Sequence, residues 1–193
     1  MMNLSATHAV SVNPTTGEVV SSLPWASERE VDAAIALAAA GYRQWRQTPL
    51  ADRADALRRI GAALRARGEE VAQMITLEMG EADRSGARRG GEIGQPLCDW
   101  YAEHGPAMLA TEATLVENNQ AVIEYRPLGA ILAVMPWNFP VWQVMRGAVP
   151  ILLAGNSYLL KHALNRDGQR PSAGRDFCRR RPAGWCIWLG ERH

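Results

Sequence analysis

The stretch Leu132-Ala133-Val134-Met135-Pro136-Trp137-Asn138-Phe139-Pro140 decides how the rest of the sequence is read, because an apolar run ends abruptly in a stiff polar loop. The aliphatic residues Ile131 to Met135 predict a buried strand, and Pro136 and Pro140 fix the backbone on either side of Trp137 and Asn138. Short, stiff loops at the ends of buried strands are where α/β proteins hold ligands, so this is the expected chemical site. Downstream, Val141 to Leu153 predict an apolar helix closed by Ala154-Gly155-Asn156, and Ser157 to Lys161 a second short buried strand. Strand, helix and strand within about thirty residues make a βαβ crossover, hence a parallel sheet with a ligand site at its strand ends.

Composition narrows the class. At 193 residues and 47% hydrophobic, the chain has ample material for a packed core. A net charge of +1, from 21 basic and 20 acidic residues, gives no global pull toward nucleic acid or anionic lipid. The basic side is lopsided, since Lys161 is the only lysine. No apolar run approaches a membrane span and no secretory leader is visible, so a cytoplasmic location is expected. Cys98, Cys178 and Cys186 form no metal-type cluster and no disulfide framework, no metal is expected, and no repeat of fixed period is present.

Upstream of the loop, His8 to Val12 and Glu18 to Leu23 read as a hairpin around the turn Asn13-Pro14-Thr15-Thr16-Gly17. Ser27 with Glu30 makes a capping box, and Val31, Ile35, Ala38, Tyr42 and Trp45 follow at helical spacing, predicting a helix over about 28–46. Further helices are expected over about 51–67, with Leu57, Ile60 and Leu64 inside, and over 69–79, ending at Gly80. These apolar stripes are assigned to core packing and not to a cofactor.

Residues 81–96 break the pattern: four glycines and alternating charges leave almost nothing for a core, so the segment reads as a long surface loop. The helical pattern resumes from Leu97 through Trp100, Tyr101 and Met108, with a break expected at Gly105-Pro106. Thr114 to Glu117 and Ala121 to Arg126 predict a second hairpin around Asn118-Asn119-Gln120.

Three motifs in order and spacing, Tyr125-Arg126-Pro127-Leu128-Gly129, Pro136-Trp137-Asn138-Phe139-Pro140, and Ala154-Gly155-Asn156 followed by Lys161, resemble the aldehyde dehydrogenase superfamily over about residues 8–165. Leu97 to Pro106 and Lys161-His162-Ala163 are most similar to its short bacterial succinate-semialdehyde dehydrogenases of the Sad type. The resemblance implies an α/β fold, the N-terminal part of the aldehyde dehydrogenase fold: an incomplete Rossmann-like NAD(P)-binding domain with N-terminal helices and an oligomerisation hairpin. Residues 1–113 would be the hairpin and helices of the cofactor-binding domain, 114–127 the oligomerisation hairpin, 128–165 the start of the βαβ unit, and 166–193 an aberrant, disordered tail. It implies oxidation of an aldehyde, succinate semialdehyde, to the acid with NAD or NADP, in a homo-oligomer without nucleic-acid or membrane partners.

Residue by residue, Asn138 matches the asparagine whose amide holds the oxyanion formed when a nucleophile adds to the aldehyde, which agrees with the physics of a fixed donor aimed at developing charge. Met135, Pro136 and Trp137 match the backbone along the cofactor, and Lys161 the lysine that bonds the adenosine ribose. Arg146, eight residues past Asn138, resembles the arginine that grips a substrate's distal carboxylate, a task suited to a planar fork of donors. The plainer readings are a loop-structuring asparagine, a solvated strand-end lysine and a structural ion pair.

Departures matter as much. Leu164 stands where NAD-preferring relatives often carry a ribose-binding glutamate, so the choice of cofactor stays open. The family's glycine motif, general-base glutamate and nucleophilic cysteine match nothing here. The alternative expectation is therefore a truncated, inactive fragment acting at most as a binding or oligomerisation module. None of the three cysteines sits in a nucleophile's context.

Two odd segments yield to one idea. One choice of codons for residues 81–96, read one base later, gives Lys-Pro-Ile-Asp-Gln-Ala-Arg-Ala-Glu-Val-Ala-Lys-Ser-Ala-Asn, a helix-forming string similar to what the family carries there. Residues 176–193 behave alike. A compensated frame slip across 81–96 and an uncompensated one just after Asn165 are expected. This explains the scarcity of lysine and a tail rich in arginine (Arg166, Arg170, Arg175, Arg179, Arg180, Arg181, Arg192), so its interleaved Trp185 and Trp188 are not read as a nucleic-acid arm.

Overall fold

The structure, a computed structural model, describes residues 8–80, 83–116, 119–136, 138–162 and 185–188. An antiparallel hairpin, β1 (His8–Val12) with β2 (Val19–Pro24), opens the chain. Its turn is held by the Asn13 side chain, whose Oδ1 accepts from the amides of Thr15 and Thr16 at 2.8 and 3.3 Å, the local bonding that makes asparagine a turn residue. Helix α1 (Glu28–Trp45) starts where expected: Ser27 Oγ accepts from Glu30 N, and the Glu30 carboxylate accepts from Ser27 N at 2.8 Å. The Ser27 amide and, at 2.8 Å, the Ser27 hydroxyl both donate to the Glu30 carboxylate and hold it below its ordinary range. Helices α2 (Leu50–Ala66) and α3 (Gly68–Met79) follow, α3 closing on Gly80 in the left-handed conformation, φ 67°.

The expectation of a loop over 81–96 is overturned from Asp83 onward, residues 81 and 82 lying outside the described residues. Helix α4 (Asp83–Met108) runs through that segment and through Pro96, packing along α2 and α3. A glycine inside a helix costs about 1 kcal/mol against alanine, so the stripe of contacts with two neighbouring helices has to outweigh the local preference. Gly94 sits where it does for a steric reason: a Cβ there would come within 2.8 Å of Leu64 Cδ1. Nor is there a break at Gly105-Pro106. Pro106 lies in the last turn, and the carbonyl it deprives of a donor, that of Ala102, accepts from Arg58 Nη2 of α2 at 3.3 Å.

The second hairpin pairs β3 (Glu112–Val116) with β4 (Asn119–Ile123), antiparallel, with Val116 opposite Asn119. The connection is therefore shorter than expected, and Asn119 and Gln120 belong to a strand.

Strand β5 (Ala130–Met135), helix α5 (Pro140–Leu153) and strand β6 (Ser157–His162) form the crossover, β5 and β6 parallel with Ala130 opposite Ser157 and Met135 opposite His162. Leu57, Leu64 and Ile75 of the helical layer share one buried cluster with Met145 and Leu152 of α5 and with Ala133, Tyr158 and Leu160 of the sheet. On the other face of β6, Ser157 Oγ donates to the Ala38 carbonyl of α1 at 2.8 Å. β5 is not the wholly buried strand that its apolar run predicts. Ala133 is buried, Ile131 and Met135 are half-buried, and the alternate Leu132 and Val134 are 56% and 59% exposed. Side chains in a strand alternate between faces, and among the described residues only one face of β5 is covered. Of the tail expected to lack packed structure, Trp185–Trp188 form a strand, β7, antiparallel to β6 on the side away from β5. The rest of the tail lies outside the described residues.

Candidate functional site

The parallel register decides what meets what. Val134 lies opposite Lys161 and Met135 opposite His162, so the carboxyl ends of β5 and β6 finish side by side. The loop from Pro136 to Phe139 leaves the first of these ends, and Lys161 stands at the second. The carboxyl edge of the parallel strands is the side on which doubly wound sheets take dinucleotides. Met135 is half-buried against the core, whereas Pro136 and Asn138 are exposed. Trp137, the third residue expected to run along a cofactor, lies outside the described residues. Phe139 caps α5 with a carbonyl that accepts from Gln143 N at 2.9 Å, and Pro140 takes the first helical position, where a missing N–H costs nothing. Asn138 thus lies exposed between a strand end at Met135 and a helix start at Pro140.

Arg146 is an exposed residue on a helix whose other face, Val141, Met145, Ala148, Val149 and Leu152, is buried. It lies six residues after Pro140, about 9 Å along the axis at 1.5 Å per residue. No carboxylate partner of Arg146 is present among the described residues, so the ion-pair reading finds no support there. The structure brings Lys161 to the loop through the sheet and keeps Arg146 on the helix that the loop starts.

A different asparagine, read in the sequence only as part of the Ala154-Gly155-Asn156 close of the helix and of the family motif, does the structural work. Asn156 is 7% exposed, and its Oδ1 accepts from Leu128 N at 2.7 Å and Gly129 N at 3.0 Å while its Nδ2 donates to the Ile151 carbonyl at 3.2 Å. One side chain therefore clamps the entry of β5 to the end of α5 and the entry of β6. The available signal was the repetition of a glycine-bearing turn, Leu128-Gly129 and Gly155-Asn156, just before each strand. Its partners lie 27 and 28 residues away, beyond any local period.

The thiol chemistry closes off one route. Cys98 is free and buried, and burial, with a smaller contribution from the neighbouring Asp99 charge, pushes its thiol up to about 12. A group so far from ionising at neutral pH cannot act as a thiolate nucleophile.

Comparison with known proteins identifies the pattern. The aldehyde dehydrogenase family matches residues 3–166. The chain is 67% identical over 160 residues to the succinate semialdehyde dehydrogenase [NAD(P)+] Sad of Escherichia coli strain K12, covering 83% of this chain and 34% of that protein. It is 39% identical over 153 residues to the succinate-semialdehyde dehydrogenase [NADP(+)] of Deinococcus radiodurans, covering 79% of this chain and 32% of the relative. The crystal structure of succinic semialdehyde dehydrogenase from Streptococcus pyogenes in complex with NADP+ superposes with a TM-score of 0.80 at 26% identity, over 88% of this chain and 36% of that one. The chain thus spans about a third of the length of each. By sequence and by fold, the chain belongs to the aldehyde dehydrogenase family.

Proposed function

We propose that this chain is the cofactor-binding and oxyanion-holding portion of an enzyme that oxidises an aldehyde, succinate semialdehyde, to its carboxylic acid with NAD or NADP as acceptor. The observation that carries the reading is the register that sets Lys161 and the Met135–Asn138 loop at one carboxyl edge of a parallel pair. Such an edge fits a dinucleotide: Met135 and Pro136 offer backbone to lie along, Trp137 is the third residue of that stretch by its match to the family motif, and the Lys161 ammonium can donate to ribose hydroxyls. NAD(P), when bound, accepts the hydride. Asn138 donates its amide to the aldehyde oxygen and stabilises it as negative charge grows. Arg146 holds the distal carboxylate with its guanidinium fork. The names of the relatives from E. coli and D. radiodurans support both the substrate and the cofactor pair.

Four finer points belong to the same reading. Residues 1–113 and 128–165 serve the cofactor-binding domain. The hairpin within 114–127 serves homo-oligomerisation, supported by Leu115, Val122 and Ile123, large apolar side chains left at the surface. The protein works in the cytoplasm, in keeping with a free thiol at Cys98. Frame slips fall across 81–96 and just after Asn165, supported by codon compatibility and by the family match ending at residue 166.

Calorimetric titration of the purified chain with NADP tests the main reading: Lys161→Ala should weaken binding at least about tenfold, the worth of one charge-assisted hydrogen bond. A wild-type chain that binds neither NAD nor NADP would sink it. Sequencing the gene tests the slips, since codons incompatible with the shifted strings exclude them.

A further inference from the structure

Each residue of a β-strand turns its N–H and C=O to one side, and the next residue turns them to the other. The Gly129 carbonyl accepts from Ser157 N at 3.2 Å, at the entry of the β5–β6 pair. By alternation Ile131, Ala133 and Met135 direct their backbone groups toward β6, and Ala130, Leu132 and Val134 direct theirs away from it. In the sheet order β5-β6-β7, β5 stands at the end, so among the described residues no strand meets these groups.

Open edges of this kind are normally blunted by a charge, a proline or a bulge. The six residues Ala130-Ile131-Leu132-Ala133-Val134-Met135 carry none of these, and their pairing with β6 runs without a register shift. The open positions also bear the exposed side chains, Leu132 at 56% and Val134 at 59%. An uncharged, β-prone strand with one free edge and one free face is a template for another strand.

The spacing of the open groups says which strand fits. Ala130, Leu132 and Val134 are symmetric about Leu132. A second β5 laid antiparallel therefore sets Leu132 opposite Leu132 and Ala130 opposite Val134, and each of these three pairs exchanges two backbone hydrogen bonds. Opposite residues of an antiparallel pair share a face, so Leu132 and Val134 of both copies meet on one surface. Two residues further, the same register sets Leu128, 88% exposed, opposite the exposed Pro136. Charge does not oppose the contact, because each chain carries a net charge of only +1. The contact uses the same edge on both copies, so it closes at two chains.

We propose that β5 is a docking edge for a second copy of this chain, paired antiparallel about Leu132 so that two three-stranded sheets become one. The inference is independent of the reading of the site, and the surface is separate from the β3–β4 hairpin. A strand pair with these side chains covered buries on the order of 600 Å², at the low end of specific interfaces, so the dimer is weak, with Kd on the order of 10 µM.

Sedimentation velocity of the purified chain tests the pairing. Between loadings of about 1 and about 200 µM, the mass should rise from one chain to two. One chain at every loading, or growth beyond two, overturns the proposal. Leu132→Lys and Leu132→Glu each set like charges opposite one another and should raise Kd at least about tenfold, whereas their equimolar mixture should restore the two-chain mass. Single variants that pair as well as the parent, or a mixture that stays at one chain, overturn it. Leu115→Lys in the hairpin should leave the dimer intact, and loss of the dimer there overturns the edge as its seat. Amide exchange needs no variant and decides the matter if those at Leu132 fail to fold. The amides of Ala130, Leu132 and Val134 should exchange about fivefold more slowly at the high loading than at the low one, with Ile131 and Ala133 unchanged, and equal rates at both loadings overturn the proposal.

Discussion

The two ends of the β5–β6 pair treat their polar groups in opposite ways. At the amino ends, Asn156 spans Leu128, Gly129 and Ile151, Ser157 N donates to the Gly129 carbonyl at 3.2 Å, Tyr42 Oη donates to the Pro127 carbonyl at 3.1 Å, and Trp45 Nε1 donates to the Leu152 carbonyl at 2.8 Å. At the carboxyl ends, Pro136 and Asn138 are exposed and Lys161 is only partly covered. One end spends its hydrogen bonds on holding the crossover together; the other leaves Pro136 and Asn138 exposed at the surface of the fold. The two asparagines make the contrast sharpest, because the Asn156 amide is a buried clamp at one end and the Asn138 side chain is exposed at the other.

The largest way to break this contrast is Asn156→Ala. Two amides and one carbonyl lose their partner in a partly buried place, which should cost about 3 kcal/mol of unfolding free energy at about 1 kcal/mol or more per unmet group. Urea denaturation measures it, and a loss below about 1 kcal/mol would mean that the amino ends are not clamped by this side chain. Ser157→Ala should come next, at about 1 kcal/mol, for one lost bond from a fully buried hydroxyl to Ala38. If Ser157→Ala proved as damaging as Asn156→Ala, the junction with α1, and not the crossover clamp, would be the stronger tie.

Much of this layout is legible in the residues, and the limits have physical causes. The capping box of Ser27 and Glu30, the stripe from Val31 to Trp45, the stop at Gly80 and the start of α5 at Pro140 are local chemistry, read within a turn or two of helix. The clamp of Asn156 is not, because its partners lie a whole crossover away. The segment 83–96 fails for the opposite reason: its local preference is plain and is overridden by packing along α2 and α3. The exposed face of β5 escapes periodicity too, since an unbroken apolar run does not say which face is covered. For the site, the loop and Lys161 are found by pattern, yet their adjacency exists only in the register of the sheet.

pH probes the closed part of the molecule by a separate route. Cys98, packed beside Gly61, has its folded pKa raised from 9.0 to about 12. A group whose folded pKa lies above its unfolded value contributes stability fully present below the unfolded value and lost as pH rises toward the folded one. The chain should therefore lose stability progressively above pH about 9, and Cys98→Ala should flatten that decline. Thiol labelling at pH 8 should track global unfolding and not local exposure. Fast labelling of Cys98 in the native state would show that the helical layer opens more readily than the amino-end contacts allow.

The smallest expected effect on stability belongs to Asn138→Ala, and its smallness is what makes it informative. Asn138 is exposed, so its loss should leave unfolding free energy within about 0.5 kcal/mol of the parent. The same substitution should leave NADP binding intact, because Lys161 and the loop backbone are untouched. If the amide is held ready for a developing oxyanion, removing it acts only where that charge forms, and turnover of succinate semialdehyde by an enzyme carrying this loop should fall by about 10²–10³ with little change in KM. A fall in stability matching that of Asn156→Ala would instead make Asn138 a second clamp. The carboxyl ends would then be held in the same manner as the amino ends, and the division of labour between the two edges of the sheet would be lost.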